Sequence, residues 1–116
     1  MSIQRSHTNQ RMSQLVIHGD TVYLAGQVAQ NAPGGSIAAQ TEDILATIDR
    51  LLGEAGSSKE QILSATIWLS DIRHFEEMNG AWDAWVPAGQ APCRACVEGR
   101  LASTRFDVEI MVTAAR

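Results

Sequence analysis

The C-terminal part of the chain reads Pro92-Cys93-Arg94-Ala95-Cys96-Val97-Glu98 and, past a turn, Asp107-Val108-Glu109-Ile110-Met111-Val112-Thr113-Ala114. Apolar and polar side chains alternate in both segments, which is the period-2 pattern of half-buried strands. The alternation predicts that Arg94, Cys96 and Glu109 lie together on the face of one sheet that does not form the core. Because a guanidinium can bind a carboxylate through two parallel hydrogen bonds, this surface indicates a site for a small acid.

Length and composition limit the protein to one domain of an ordinary globular kind. The 116 residues suffice for one core but not for two, so we expect a single domain over residues 1–116, with 45% hydrophobic and 19% charged residues. A formal charge of -4 without a run of Lys or Arg disfavours a nucleic-acid surface. No apolar run approaches the roughly 20 residues that span a bilayer, and Met1–Arg5 leads into polar sequence, which predicts a cytoplasmic protein.

The two cysteines, Cys93 and Cys96, have the C-x-x-C spacing of redox and metal sites. Within a strand, however, their side chains point to opposite faces about 10 Å apart along the chain, so they should not form a disulfide with each other. The three histidines are scattered without ligand spacing, and a structural zinc site needs about four ligands. We therefore expect two packed thiols and neither a metal nor a cofactor.

The sequence pattern of the N-terminal half predicts a flexible segment, a hairpin and a helix. Residues 1–12 are polar and should be partly flexible. Gln14–His18 and Thr21–Gln27 are β-rich runs joined by Gly19-Asp20, the signature of a tight turn. Ser36 can cap a helix that ends at Gly56. The predicted core positions of the hairpin and this helix are Leu15, Ile17, Val22, Leu24, Ile37, Ile44, Leu45, Ile48, Leu51, Leu52 and Ala55.

A further strand and a second helix complete the predicted fold. The strand covers Ile62–Ser70 and should direct Leu63, Ala65, Ile67 and Leu69 inward. The helix runs from Asp71 or Ile72 to about Trp85 and is stopped by Pro87-Ala88-Gly89. With the C-terminal pair, the order is ββαβαββ. We therefore predict an α/β protein, an α+β sandwich with both helices on one face of a mixed sheet.

This architecture leaves one face of the sheet without helices. A half-apolar surface of this kind on a small domain is usually covered by another subunit, so we expect a homo-oligomer with the polar residues near its interface. The side chains assigned to this open face are Tyr23, Trp68, Cys96, Met111, Arg94 and Glu109.

An ordered set of short motifs spans about residues 11–115, nearly the whole chain. The motifs are Gly26-Gln27, Gln40, Leu51-Leu52-Gly53-Glu54-Ala55-Gly56, Trp68-Leu69-Ser70-Asp71, Met78-Asn79, Pro92-Cys93-Arg94 and Val108-Glu109-Ile110. In this order they resemble the YjgF/Rid family of reactive-intermediate deaminases. The resemblance implies a chorismate-mutase-like fold, a homotrimer and three clefts between subunits. It also implies cofactor-free hydrolysis of enamines and imines such as 2-aminoacrylate to 2-oxo acids and ammonia.

The resemblance further assigns roles to five residues. It places the family's carboxylate-binding Arg at Arg94 and its water-positioning Glu at Glu109. The position whose backbone helps hold substrate and water falls on Cys96, while Gly26 and Asn79 match positions that shape the cleft. A water that attacks a C=N carbon needs a hydrogen-bond acceptor within reach, which agrees with a carboxylate at position 109.

Other interpretations of these residues stay open from the sequence alone. The family's deaminases often carry Tyr where this chain has Met12, and loss of that phenol points to a different imine preference. Arg94 could instead pair with Glu98 or Glu109 as a structural ion pair.

The alternative function is a non-catalytic trimer that binds a small carboxylate or a protein partner. Endoribonuclease activity, claimed for some relatives, is a weaker third possibility because the net charge is acidic.

Overall fold

Seven strands and two α-helices make up the fold in a computed structural model that describes residues 1–116. The helices are α1 (Ile37–Glu54) and α2 (Phe75–Trp85). The strands are β1 (Ile3–Thr8), β2 (Ser13–His18), β3 (Thr21–Leu24), β4 (Gln27–Val28), β5 (Ile62–Leu69), β6 (Cys93–Glu98) and β7 (Val108–Ala115). Single 3₁₀ turns precede β5 at Lys59–Gln61 and α2 at Ile72–His74.

All seven strands belong to one mixed sheet with the order β1-β2-β3-β7-β5-β6, and β4 pairs with β7 beyond the end of β3. Every pairing is antiparallel except that of β5 with β6, which α2 connects as a crossover helix. Both helices cover the same sheet face and contact each other. The predicted α/β architecture with two helices and a mixed sheet is therefore confirmed. Neither helix combines the length and apolar character that crossing a membrane requires.

One hydrophobic core fills the space between the helices and the sheet. All the core positions predicted for the hairpin and for α1 are buried. The Oγ of Ser36 accepts a hydrogen bond of 3.0 Å from the amide of Ala39, as expected of an N-cap. After the last turn of α1, Gly56 adopts φ +74°, the left-handed conformation that ends many helices.

The structure corrects the predicted fold in three details: two additional strands and the direction of one side chain. The N-terminal segment contributes an edge strand, β1, that polar composition did not reveal, because an edge strand with two exposed faces lacks apolar alternation. The hairpin is followed by a short additional strand, β4, after a break at Ala25-Gly26. The prediction that Leu63 points inward is also wrong, since an irregularity in the β5–β7 register buries Ile62 and leaves Leu63 52% exposed.

The glycines of the helices allow a matched test of the fold. Gly80 lies inside α2, and a methyl group added there would meet no atom within 4 Å, so Gly80→Ala should raise the free energy of unfolding by about 0.5–1 kcal/mol through helix propensity. Gly56→Ala, also unhindered, should lower it by about 1 kcal/mol because of the left-handed φ. Urea denaturation followed by circular dichroism measures both, and equal shifts would contradict the assigned ends of the helices.

Candidate active site between two sheet faces

The parallel pairing of β6 with β5 fixes the direction of Arg94. Arg94 lies opposite Ala65 and Cys96 lies opposite Ile67, and neighbouring residues in register share a sheet face. Ala65 and Ile67 are buried beneath the helices. Arg94 and Cys96 therefore lie on the helix-covered face, at the edge of the sheet.

Glu109 points the other way. It lies on β7 between the buried residues Val108 and Ile110 and opposite Trp68 of β5, which places its carboxylate on the open face. The prediction that Arg94, Cys96 and Glu109 share one face is thus wrong. It assumed that Val97 marks the core side of β6, but Val97 is 45% exposed on the open face. Being at the sheet edge, β6 does not bury its apolar side chains in the core of its own chain.

Helix α2 holds the guanidinium of Arg94. Its Nη1 donates a hydrogen bond of 2.8 Å to Oδ1 of Asn79. The guanidinium carbon lies 5.8 Å from the ring centre of Phe75 and 5.4 Å from that of Trp82, within the range of cation–π contacts. Phe75, Asn79 and Trp82 are spaced i, i+4, i+7 and so lie on one helix face. This spacing is visible in the sequence, but the contact with Arg94 is not, because it joins α2 to a strand that follows it in the chain.

No carboxylate neutralises Arg94. The two ion pairs of the chain join His7 to Glu54 and Arg73 to Asp71. The carboxylate of Glu98 instead accepts a hydrogen bond of 2.9 Å from the amide of Ile72. A guanidinium carries five N–H donors, and Arg94 donates to one protein partner only. The structural ion pairs that the sequence left open, with Glu98 or Glu109, are therefore absent within the chain, and a planar fork is free to bind an anion.

Glu109 occupies a partly buried position that changes its acidity. Burial raises the pKa of its carboxyl above the usual 4.5, and no positive group lies near enough to oppose that rise. The carboxylate stands directly over Gly26, where a Cβ atom would come within 3.0 Å of Cδ and closer still to Oε2. The absence of a side chain at Gly26 therefore makes room for the Glu109 carboxylate.

The turn that contains Met12 lies beside Gly26. The amide of Ala25 donates to the carbonyl of Gln14 at 2.9 Å, so the residues that precede Gln14 run alongside the break between β3 and β4. The amide of Asn9 bonds the carbonyl of Met12, and the Met12 side chain is 40% exposed. Met12 is therefore a partly exposed side chain of the turn that joins β1 to β2.

Cys96 is suited to a backbone role. Burial raises the pKa of its thiol, an effect that the nearby Arg94 only partly opposes, so the group is a neutral thiol at neutral pH. Cys93 is exposed on the other face, and both thiols are free. No group of three or more His, Cys, Asp or Glu side chains converges closely enough to hold a metal ion.

Comparison with known proteins agrees with this arrangement of elements. A sequence profile for the family described as endoribonuclease L-PSP matches residues 2–116. The chain is 44% identical over 115 residues to the RutC family protein YoaB of Escherichia coli strain K12, covering 99% of each chain. A YjgF family protein from Neisseria meningitidis, known from a crystal structure, is 46% identical with a TM-score of 0.96, covering 100% of this chain and 96% of that one.

The chain belongs to the YjgF/Rid family. The resemblance drawn from the ordered motifs is therefore confirmed. A more distant Rid family protein, YyfA from Yersinia pestis, is 24% identical with a TM-score of 0.91 over 99% of this chain and all of that one, and this likeness shows the fold alone.

The contact between Gly26 and Glu109 makes a prediction about geometry. In Gly26→Ala, the new methyl group should displace the flexible end of Glu109 toward water while the backbone stays in place, because only side-chain atoms obstruct it. The pKa of Glu109, followed by carboxyl-carbon NMR, should fall toward 4.5 as its burial is lost. Gly53→Ala, which meets no atom within 4 Å, is the matched control and should leave that pKa unchanged. An unaltered pKa in Gly26→Ala would contradict the described contact.

Proposed function

We propose that the protein is a cofactor-free hydrolase that converts reactive enamines and imines of the 2-aminoacrylate type to 2-oxo acids and ammonia. The observation that carries this proposal is the guanidinium of Arg94, which Asn79 and two aromatic rings hold in place and no carboxylate neutralises. Such a group is prepared to bind the carboxylate of an imino acid through its planar fork. The five residues assigned by the resemblance, Arg94, Glu109, Cys96, Gly26 and Asn79, are proposed as the site.

The proposed chemistry needs one proton acceptor. Arg94 binds the substrate carboxylate, and Glu109 accepts a proton from a water molecule as its oxygen attacks the C=N carbon. Glu109 passes that proton to the imine nitrogen, which gives a tetrahedral species with one hydroxyl and one amino group. The hydroxyl proton then moves to the amino nitrogen, the C–N bond breaks, and ammonia leaves as the C=O bond forms. Within one chain, burial raises the pKa of Glu109, and the neighbour's Arg94 in the proposed cleft would act in the opposite direction. Fixing the carboxylate removes part of the orientational cost of a reaction that already proceeds in water.

Because Arg94 and Glu109 point in opposite directions, a site that uses both residues would lie between two copies of the chain. Strand β5 separates the two residues within one sheet, and each residue lies on a different face. The open face carries exposed Tyr23, Met111 and Val97, which a second copy can cover. We propose a homotrimer of chorismate-mutase-like chains in which Glu109 of one copy meets Arg94 of its neighbour, giving three equivalent clefts.

A non-catalytic trimer that binds small carboxylates is the alternative, because the same free guanidinium would serve it. An endoribonuclease, the activity in the description of the matching profile, is less well supported. Its substrate carries one negative charge per nucleotide, whereas this chain has a net charge of -4 and no basic run. Imine hydrolysis therefore remains the function that the site favours.

The first test removes each proposed group in turn. Arg94→Ala should lower kcat/KM on imino acids by roughly 10²-fold, because charge-assisted paired hydrogen bonds in a sheltered cleft contribute a few kcal/mol. Arg94→Lys should restore only part of the loss, since an ammonium cannot reproduce the fork. Glu109→Gln should keep the binding of 2-oxo acids but slow hydrolysis. Imines generated by an amino-acid oxidase, with semicarbazide trapping of unhydrolysed imine, provide the rates.

Circular dichroism and light scattering serve as controls that every variant keeps its fold and assembly. If wild type hydrolyses no carboxylate imine faster than water alone does, the hydrolase proposal is excluded and the non-catalytic binding trimer remains. A folded Arg94→Ala trimer with wild-type rates would show that Arg94 is not the anchor.

The second test asks whether Arg94 and Glu109 of one cleft come from different copies. Arg94→Ala and Glu109→Gln trimers are each expected to be nearly inactive. When the two variants are unfolded together in equal amounts and refolded, about a quarter of the clefts in random trimers combine an intact Arg94 with an intact Glu109. Activity should therefore return to about a quarter of that of refolded wild type. Absence of any recovery, with mixed trimers demonstrated by native mass spectrometry, would place both residues in one chain.

A further inference from the structure

A cavity of about 370 Å³ lies where β5 and β6 end and the segment leading to β7 folds back over them. Only two of its eight lining residues are hydrophobic, and its polar lining includes Arg100 and the hydroxyl-bearing Ser70, Ser103 and Thr104. Neither Arg94 nor Glu109 lines it, so it is distinct from the groups assigned so far. Its volume is at the lower end of the range typical of small-molecule sites.

The charges around this cavity favour an anion. Arg100 forms no ion pair and donates no hydrogen bond within the chain, so all of its donors are free. The one carboxylate in the lining, that of Glu98, accepts a hydrogen bond of 2.9 Å from the amide of Ile72, and the nearby Arg73 is itself paired with Asp71. Glu98 therefore has a hydrogen-bond donor outside the cavity, whereas Arg100 has no partner within the chain.

Hydroxyl groups add donors beside Arg100. The Oγ of Ser103 accepts a hydrogen bond from the amide of Arg105 at 3.2 Å, which leaves its own proton free to donate. Thr104 has no hydrogen-bond partner for its hydroxyl within the chain and lines the same cavity. Ser70, by contrast, donates to Asp107 at 2.7 Å and so cannot donate to a ligand at the same time. An anion here would meet one guanidinium and two hydroxyl donors, together with the carboxylate of Glu98, which already accepts the amide of Ile72.

The segment that carries these donors is anchored at both ends. The amide of Gly99 donates to the carbonyl of Leu69 at 2.9 Å. Asp107 receives hydrogen bonds from Ser70 and from Gln40 of α1, and its own amide donates to Gln40 at 2.8 Å. The cavity is consequently formed before any ligand arrives, which reduces the entropic cost of binding.

The cavity adjoins the proposed water-positioning residue. Trp68 lies opposite Glu109 across the β5–β7 pair. On its other side, the indole lies next to Gly99 of the cavity wall, where a Cβ would stand 3.5 Å from Trp68 Cδ1. A substrate whose C=N carbon is near Glu109 could therefore extend its side chain past Trp68 toward Arg100.

We propose that this cavity is a side-chain subsite for a second carboxylate, with Arg100, Ser103 and Thr104 as its donors. The preferred substrates are then imines of acidic amino acids, which carry a carboxylate at each end. This inference rests on the proposed function, because it assumes that the imine carbon is held near Glu109. It extends that function by naming a substrate class and a specificity-determining residue, Arg100.

The test compares two imines that differ only in the side chain. Amino-acid oxidases generate 2-iminoglutarate from glutamate and 2-iminopropanoate from alanine, and kcat/KM is measured for both. In Arg100→Gln, the ratio of kcat/KM for 2-iminoglutarate over 2-iminopropanoate should fall roughly 10-fold or more, while the rate on 2-iminopropanoate stays within about 2-fold of wild type. The matched control is Arg105→Gln on the same segment, because Arg105 lies over the ring of Phe106 and does not line the cavity. In Arg105→Gln, the ratio of kcat/KM for 2-iminoglutarate over 2-iminopropanoate should equal that of wild type.

Each outcome separates the subsite from the catalytic proposal. If wild type hydrolyses both imines and Arg100→Gln keeps the wild-type ratio, the subsite is overturned and the hydrolase stands. If wild type accelerates neither imine, the wider set of carboxylate imines decides the hydrolase, and calorimetric titration with 2-oxoglutarate and pyruvate decides the subsite. Wild type should then bind 2-oxoglutarate about 10-fold more tightly than pyruvate, and Arg100→Gln should lose that preference. Equal affinities in wild type would overturn the subsite.

Discussion

The parallel pairing of β6 with β5 is the constraint on which the rest of the structure depends. It follows from the length of α2, which returns the chain to the far edge of the sheet in the same direction as β5. The register then places Arg94 beside Ala65 on the helix side, within reach of Asn79. A slip of one residue would turn Arg94 to the open face and bring Ala95 and Val97 beneath α2.

As a consequence, the side chains of Arg94 and Glu109 cannot contact each other within one chain. Arg94 has a cation–π environment and one hydrogen bond, contacts worth about 0.5–1 kcal/mol each at exposed sites, which orient the group without satisfying it. Glu109 lies across the sheet with no cation near it. The apolar open face, with Tyr23 and Met111 more than 40% exposed, supplies a reason for copies to associate. Association would thus bury apolar surface and complete the site at the same time.

Local signals in the sequence predicted most of the fold, and non-local pairing accounts for what they missed. The stripe on α1, its Ser36 cap and the Gly19-Asp20 hairpin depend on neighbours within a few residues, so periodicity and turn chemistry sufficed. The direction of β6 depends on which strand it pairs with, and alternation alone cannot tell the core side from a side that another copy covers. For the same reason Arg94 and Glu109 were recognisable as a candidate pair, but their separation by the sheet was not.

Stability and the proposed reaction favour different residues at position 109. Because burial raises its pKa in the folded chain, the folded state holds the carboxyl proton more tightly than the unfolded chain does. The contribution to stability is therefore present below the unfolded pKa and is lost as the pH rises through the folded one, so the ionised group is unfavourable at neutral pH. An apolar residue at position 109 would stabilise the folded chain more than the ionised carboxylate does. The lack of a side chain at Gly26 leaves the space that the carboxylate occupies. A partly buried carboxylate that has no cation near it within its own chain agrees with the proposed role of Glu109 as a proton acceptor.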